Sequence, residues 1–210
     1  MMGGEREVLD RLRVSRETEE ALRVYVDQLV IWQKVKNLVG PKTLDNVWNR
    51  HVEDSAQLLP LLGTAARLVD IGSGAGFPGL VLAILLRERQ GALIHLVESN
   101  SRKCAFLRDV SRRLSLPVRV HNDRIEDVLP TLIGQVEGVT ARALAPLSVL
   151  LDLTNELLKG PVVGVFPKGQ DVERELTDAS KYWTFQASVK ASCTDSKARI
   201  LLISDVRRAT

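Results

Sequence analysis

Four glycines lie within eight residues of this sequence, directly after a short apolar run, and this segment constrains the fold more than any other. It extends from Leu68 to Leu80 and reads LVDIGSGAGFPGL. Glycine adopts positive φ without strain and lets a ligand approach the backbone closely. A strand that leads through such a loop into a helix is typical of an open α/β sheet, in which ligands bind at the carboxyl ends of the strands. The segment therefore predicts a binding loop.

From Arg67 onward, short apolar runs alternate with helical patterns, which predicts βαβ units and a mostly parallel sheet. The last two apolar runs have no helix between them, so we expect a closing hairpin with at least one antiparallel strand. The predicted strands cover 67–71, 93–98, 117–121, 137–142, 161–167, 183–191 and 199–204, and the predicted helices cover 79–89, 101–114, 146–158 and 171–180.

Residues 1–62 differ in character from residues 63–210, and we expect a helical extension followed by one α/β domain. Ser15 resembles an N-cap, and apolar residues then recur at helical spacing until Gly40-Pro41. A second helix is expected from Thr43 to about Pro60. The first fifteen residues are polar and are expected to be mobile.

Two ligand-binding patterns overlap in the glycine loop. Gly74, Gly76 and Gly79 match the G-x-G-x-x-G pattern of dinucleotide-binding proteins. Asp70 and Gly72, together with Gly74 and Gly76, match the D-x-G-x-G-x-G loop of S-adenosylmethionine-dependent methyltransferases. We favour the second pattern, because a carboxylate at Asp70 would attract the cationic amine of S-adenosylmethionine and repel a pyrophosphate. A nicotinamide-dependent oxidoreductase and a glycine turn without a ligand remain the alternatives.

An acidic residue, Glu98, ends the predicted strand 93–98. A carboxylate about 20 residues beyond a glycine loop accepts hydrogen bonds from ribose hydroxyls. Both candidate cofactors contain this ribose, so Glu98 predicts an adenosine ligand without choosing between them. The segment 123–126 follows the third strand, where the adenine edge is expected.

Composition limits the location and the class of the protein. The longest apolar run, Leu80 to Leu86, is far shorter than the ~20 residues of a membrane-spanning helix. Cys104 and Cys193 have no metal-ligand spacing. We therefore expect a cytoplasmic protein without a metal site, and we expect a monomer. The net charge of +3 is compatible with a polyanionic partner.

Further motifs flank the glycine loop, which ends in F-P-G-L. They are Asn37-Leu38, Arg50-His51-x-x-Asp54-Ser55, Glu98-Ser99-x-x-Arg102-Lys103-x-x-Phe106-Leu107, Arg124-Ile125-Glu126, Ala141-Arg142-Ala143 and Pro167-Lys168-Gly169. Together with the loop, these motifs resemble one family, the small-subunit ribosomal RNA methyltransferase G family, also called glucose-inhibited division protein B. A departure is Val39, where the family commonly has threonine.

The resemblance implies a Rossmann-like, seven-stranded fold of the class I S-adenosylmethionine-dependent methyltransferases. It also implies methyl transfer to N7 of a guanine in 16S rRNA of the small ribosomal subunit. Carried over residue by residue, it implies that the cofactor contacts Gly72, Phe77, Ile125, Glu126 and Arg142.

Basic residues near the carboxyl ends of the strands are candidates for contact with the RNA. These are Arg102, Lys103, Arg124, Arg142 and Lys168. The remaining arginines of the helix 101–114 are as well explained by a solvated helix face. His51 and Asp54 lie three residues apart on one helix face, which favours a structural contact over acid–base chemistry.

No catalytic side chain is expected. Guanine N7 is an exposed lone pair without a proton, so its methylation needs alignment of the acceptor with the methyl group and no general base. The sequence lacks the [DN]-P-P-[YF] motif of amino-methylating enzymes. A second alternative, from a non-enzyme class, is an RNA-binding protein that retains a vestigial cofactor pocket.

Overall fold

The computed structural model describes residues 4–34 and 38–209, with the backbone alone for 41–43. Asn37, part of the predicted Asn37-Leu38 motif, lies outside the described residues. Within the described ranges, no helix combines the length and the apolar character that crossing a bilayer requires.

A seven-stranded sheet forms the centre of the molecule, as the alternating pattern predicts. Its strands in spatial order are β3-β2-β1-β4-β5-β7-β6. All neighbours pair in parallel except β7, which is antiparallel to both β5 and β6. The bounds are β1 Arg67–Ile71, β2 Leu93–Val97, β3 Val118–His121, β4 Gly138–Thr140, β5 Val163–Lys168, β6 Trp183–Ala191 and β7 Arg199–Arg208. The predicted parallel sheet and antiparallel closing hairpin are confirmed.

Helices pack on both faces of the sheet, and two clusters of buried residues alternate along the strands, as the period of two requires. Helix α4 is apolar all round and is buried almost completely, which explains its lack of an amphipathic pattern. Helix α5 begins where Asn100 accepts hydrogen bonds from the amides of Arg102 and Lys103. The helices of this part are α4 Gly79–Leu86, α5 Ser101–Arg113, α6 Ile125–Val128, α7 Leu147–Thr154 and α8 Val172–Ser180.

The amino-terminal segment is helical, but it differs from the prediction in two places. Residues 5–12 form helix α1 (Glu5–Leu12), whose Val8 and Leu9 are buried, so the expectation of a mobile stretch before Ser15 is wrong over this range. Val8, Leu9 and Leu12 pack on the core, and ion pairs of Arg11 with Glu53 and of Glu5 with Arg23 also hold this helix. Helix α2 (Arg16–Gln33) follows, capped by the Ser15 hydroxyl as predicted.

The second predicted helix, 43–60, is instead a chain of short irregular turns. A 3₁₀ turn (Pro41–Asn46) leads into a π-helical turn (Trp48–Glu53), then α3 (Asp54–Ala56) and a second 3₁₀ turn (Leu59–Leu62). Isolated π turns are frequent at functional sites because the wider turn re-aims side chains. Arg50, His51 and Glu53 all lie in this π turn.

The extension packs into the same apolar cluster as α4 and α5. Tyr25 and Trp48 are fully buried there with Leu80 and Phe106. The Tyr25 hydroxyl donates a hydrogen bond of 2.7 Å to the carbonyl of Ala75, in the glycine loop. The extension therefore contacts the predicted binding loop directly.

Candidate cofactor and acceptor site

The glycine loop connects β1 to α4 and depends on the absence of side chains. Gly72, Gly74 and Gly76 have φ of 66°, 57° and 93°. A Cβ atom at Gly72 would lie 2.7 Å from Cδ1 of Leu144, and one at Gly76 would overlap Leu80. A Cβ at Gly74 would meet only the carbonyl of Gly72, at 3.8 Å, and would otherwise face open space. Gly74 is therefore where the backbone of the loop lies open to a ligand.

Asp70, in β1, is hydrogen-bonded to the end of this loop. Its carboxylate accepts hydrogen bonds from the amide of Gly79 at 3.2 Å and from the hydroxyl of Thr140 at 2.8 Å. Only 1% of the residue is exposed. Burial raises the pKa of Asp70 to about 6, against the effect of these hydrogen bonds, which favour the charged form. Both carboxylate oxygens are engaged within the protein, so Asp70 shapes the loop, and its direct contact with the cofactor amine stays a prediction.

Glu98 follows β2 and lies against the open part of the loop. One of its oxygens accepts a hydrogen bond of 3.0 Å from the amide of Gly74, and the other accepts one of 2.8 Å from the amide of Asn100. Each carboxylate oxygen can accept more than one hydrogen bond. Glu98 therefore fixes the loop and keeps acceptor capacity for ribose hydroxyls, beside the one loop glycine whose missing side chain leaves space.

Phe77, in the glycine loop, packs against side chains of the amino-terminal extension. The ring is buried and stacks on the His51 ring, with centroids 4.7 Å apart and an interplanar angle of 21°. Tyr25 packs against it at 5.2 Å, and the Arg142 guanidinium lies over it at 5.3 Å. Phe77 therefore links the loop to the extension, and its contact with the cofactor stays a prediction.

A cavity of about 580 Å³ opens beside Phe77. Arg142, predicted as a contact of both cofactor and RNA, reaches into its wall and donates to the carbonyl of Arg50 at 3.1 Å and to Asp54 at 3.4 Å. Asp54 also accepts a hydrogen bond of 2.8 Å from Thr194, in the β6–β7 connection. The lining residues come from four separate segments and are Asn46, Arg50, His51, Asp54, Arg142, Ala143, Pro167, Lys168, Gly169, Thr194, Asp195 and Ala198.

The sequence did not indicate that Arg50, His51 and Thr194 meet at this cavity. The Arg50-His51-x-x-Asp54-Ser55 motif was the available signal for the first two, and we interpreted its His51 and Asp54 as structural. Asp54 does make structural contacts. His51 has no hydrogen bond to either ring nitrogen within the described part of the chain.

Lys168 lines the cavity, but its ammonium group is engaged. It donates to Glu175 at 2.7 Å and to the carbonyl of Ala145 at 2.8 Å, and only 7% of its side chain is exposed. Glu175 also accepts a hydrogen bond from the amide of Leu147. Lys168 thus ties β5 to α8 and to the loop before α7, and its contact with RNA stays a prediction.

The other predicted contacts lie on the rim near the carboxyl ends of the strands. Arg102 and Arg124 are exposed, and Lys103 is partly buried at the start of α5. Ile125 is partly buried and Glu126 is exposed in α6, after β3. The sheet thus brings these five residues to the edge that carries the glycine loop, and their contacts with cofactor and RNA stay predictions.

Comparison with known proteins agrees with this geometry. A family model described as rRNA small subunit methyltransferase G matches residues 18–203. The ribosomal RNA small subunit methyltransferase G of Methylorubrum extorquens strain PA1 is 53% identical over 201 residues, which cover 96% of this chain and 95% of that protein.

Solved structures of other methyltransferases share the fold. A SAM-dependent methyltransferase from Aquifex aeolicus has a TM-score of 0.58 at 16% identity, covering 81% of this chain and 96% of that one. An O-methyltransferase from Bacillus cereus in complex with SAH has a TM-score of 0.59 at 14% identity, covering 95% and 96%. The predicted Rossmann-like methyltransferase fold is confirmed, and the oxidoreductase alternative is not favoured. The chain belongs to the rRNA small subunit methyltransferase G family.

Proposed function

We propose that this protein transfers the methyl group of S-adenosylmethionine to N7 of a guanine in 16S rRNA of the small ribosomal subunit. The observation that carries the proposal is the open backbone at Gly74 next to the carboxylate of Glu98, in a chain of this family. S-adenosylmethionine supplies an electrophilic methyl group on a positively charged sulfur. When bound, it would supply that methyl group to N7 and leave as the neutral thioether S-adenosylhomocysteine, and the positive charge would pass to the base.

The chain's own residues have to bind and align the two partners. We assign the cofactor to the crevice formed by Gly72, Gly74, Gly76, the Phe77 backbone and Glu98. Ile125, Glu126 and Arg142 complete that set, and Asp70 acts on it through the loop. Because N7 carries no proton, no side chain has to remove one, and alignment supplies the acceleration. Well-oriented reactants gain up to about 7–11 kcal/mol in this way.

We assign the acceptor base to the cavity beside Phe77 and the RNA backbone to the exposed rim. Arg50, Arg102 and Arg124 are exposed there, and Lys103 lies at the start of α5. Cations at this rim suit contacts with phosphates, which position an RNA without reading its sequence. Residues 1–62 would then be an appended helical part that supplies one wall of the acceptor cavity, and residues 63–210 the methyltransferase domain. A monomeric, cytoplasmic enzyme without a metal remains part of the proposal.

The test is a methyl-transfer assay on small subunits purified from a strain that lacks this gene. With S-adenosylmethionine, the protein is expected to add one methyl group, detected as 7-methylguanosine by mass spectrometry of the digested rRNA. Naked 16S rRNA in parallel shows whether the assembled particle is needed. A methyl group on another atom or nucleoside would overturn the assignment to N7.

The same strain also tests the non-enzymatic alternative. If the 16S rRNA of this strain carries the same methyl groups as that of the parent strain, only an RNA-binding role is left. Calorimetry with S-adenosylmethionine and NAD in separate titrations tests the cofactor, and only the first is expected to bind.

A further inference from the structure

A buried histidine lies between the cofactor loop and the acceptor cavity without any hydrogen bond. His51 is 9% exposed, and both of its ring nitrogens are inaccessible and without a partner among the described residues. Buried polar atoms in folded proteins are almost always hydrogen-bonded, so each exception asks for an explanation. A hydrogen bond to a bound ligand is one such explanation.

The position of the ring favours the acceptor base as that ligand. One face of His51 stacks on Phe77, which belongs to the glycine loop. The residue also lines the cavity of about 580 Å³, together with Arg50 and Arg142. It is therefore in contact with the loop that we assign to the cofactor and with the space that we assign to the substrate.

The ring is held in its neutral form. Burial is the main cause, and with the nearby Arg142 and Arg50 guanidinium groups it lowers the pKa of His51 to about 3. A neutral imidazole has one N–H donor and one acceptor nitrogen. Methylation at N7 leaves a positive charge on the base, and a neutral donor avoids the repulsion that an imidazolium would add at this contact.

We propose that His51 is a positioning residue for the acceptor guanine, and that its ring N–H donates a hydrogen bond to O6 of that base. O6 and N7 are the two neighbouring acceptors of guanine, so a donor on O6 orients N7. The inference rests on the proposed function.

Because both ring nitrogens are buried, the hydrogen bond would need a rearrangement at the cavity wall, and Arg142 is a neighbouring side chain whose contacts an RNA group could replace. Arg142 lies over the same Phe77 ring, lines the same cavity and is held to Asp54 at 3.4 Å and to the Arg50 carbonyl at 3.1 Å. A phosphate or base that takes over these contacts would uncover His51.

Two substitutions separate positioning from structure. His51→Phe keeps a planar ring to stack on Phe77 and removes both nitrogens, whereas His51→Gln restores an N–H donor without the ring. We expect His51→Phe to melt no lower than the wild type, because it removes polar atoms that have no partner. Its affinity for S-adenosylmethionine by calorimetry should stay within about twofold. Its kcat on small subunits should fall about 10–100-fold, and His51→Gln should regain at least about threefold over His51→Phe.

The outcomes are distinct. Wild-type turnover by His51→Phe would overturn the inference, and so would equal turnover by the two variants, since the hydrogen bond would then contribute nothing. Loss of cofactor binding in His51→Phe would also overturn it and would assign His51 to the cofactor loop. Absence of 7-methylguanosine with the wild-type protein would instead overturn the proposed function itself.

Discussion

The two halves of the site are built in different ways. The cofactor half is formed by backbone: three loop glycines have positive φ, Glu98 accepts a hydrogen bond from the amide of Gly74, and Asp70 accepts one from the amide of Gly79. The acceptor half is formed by side chains from the region around the π turn, the segment after β4, the end of β5 and the β6–β7 connection. In the cofactor half, a side chain added at Gly74 would occupy the ligand's space. In the acceptor half, a single substitution removes one contact and leaves the others in place.

The most direct test of this comparison is to add a side chain at Gly74. Gly74→Val should weaken binding of S-adenosylmethionine at least about 100-fold, or about 2.7 kcal/mol, because the side chain would take the ligand's space. Gly91→Val is the matched control, since Gly91 has φ of 76° and open space around its Cβ but lies in the turn after α4. The control carries the same backbone strain and should bind normally. Normal affinity of Gly74→Val by calorimetry would show that the loop is not the cofactor site.

Substitution of Lys168 tests whether this cation at the cavity wall stabilises the fold. Lys168→Ala should lower the free energy of unfolding by about 3 kcal/mol, because it leaves the partly buried Glu175 without its charged partner. The change is measured by urea denaturation, and the double variant with Glu175→Gln should recover part of the loss. A variant of unchanged stability with weakened RNA binding would return Lys168 to the predicted RNA contacts.

The pH dependence of stability tests how tightly Asp70 is enclosed. Its pKa is about 6 in the folded protein against 3.8 for an ordinary aspartate. A carboxyl group whose pKa is raised by folding stabilises the folded state fully below pH 3.8. This stabilisation is lost as the pH rises through 6. The wild type should therefore lose up to about 3 kcal/mol between pH 4 and 7 relative to Asp70→Asn. Parallel stability profiles of the two proteins would show that Asp70 keeps an ordinary pKa.

The smallest effect is expected at the exposed rim. Arg124→Ala should leave the melting temperature and the cofactor affinity unchanged. It should reduce by about one the slope of the logarithm of the small-subunit binding constant against the logarithm of the salt concentration, because one phosphate contact is lost. Arg112→Ala, at the distal end of α5 and paired with Asp109, serves as the control. If both substitutions weaken binding equally, the rim has no special part in holding RNA.

The sequence was a good guide to the sheet and to the cofactor half, for a physical reason. Strand and helix periodicity and glycine spacing are local properties, so β1 to β7 and the loop 72–79 could be predicted within a few residues. The enclosure of Asp70, by contrast, could not be predicted, because a strand-end carboxylate does not reveal which of its neighbours will surround it. The amides and hydroxyls that do so come from Gly79 and Thr140.

The acceptor half could not be predicted because its contacts are long-range. Asp54 and Thr194, which share a hydrogen bond, are 140 residues apart, and Arg142 meets Asp54 across 88. The expected continuous helix over 43–60 hid the π turn that directs Arg50 and His51 to one cavity. Lys168 is a different case, since its partner Glu175 is only seven residues away in sequence, but the pairing depends on how helix α8 packs after β5.

The hydrogen bond from Tyr25 to the carbonyl of Ala75 has a consequence for the rigidity of the glycine loop. A carbonyl and the amide of the next residue share one rigid plane, so the contact at Ala75 also acts on the Gly76 amide. That plane is held on both sides, by Tyr25 of helix α2 and by the hydrogen bond of 2.7 Å from the Gly76 amide to the carbonyl of Ser73. A shift of helix α2 would therefore be transmitted to the backbone of the cofactor crevice.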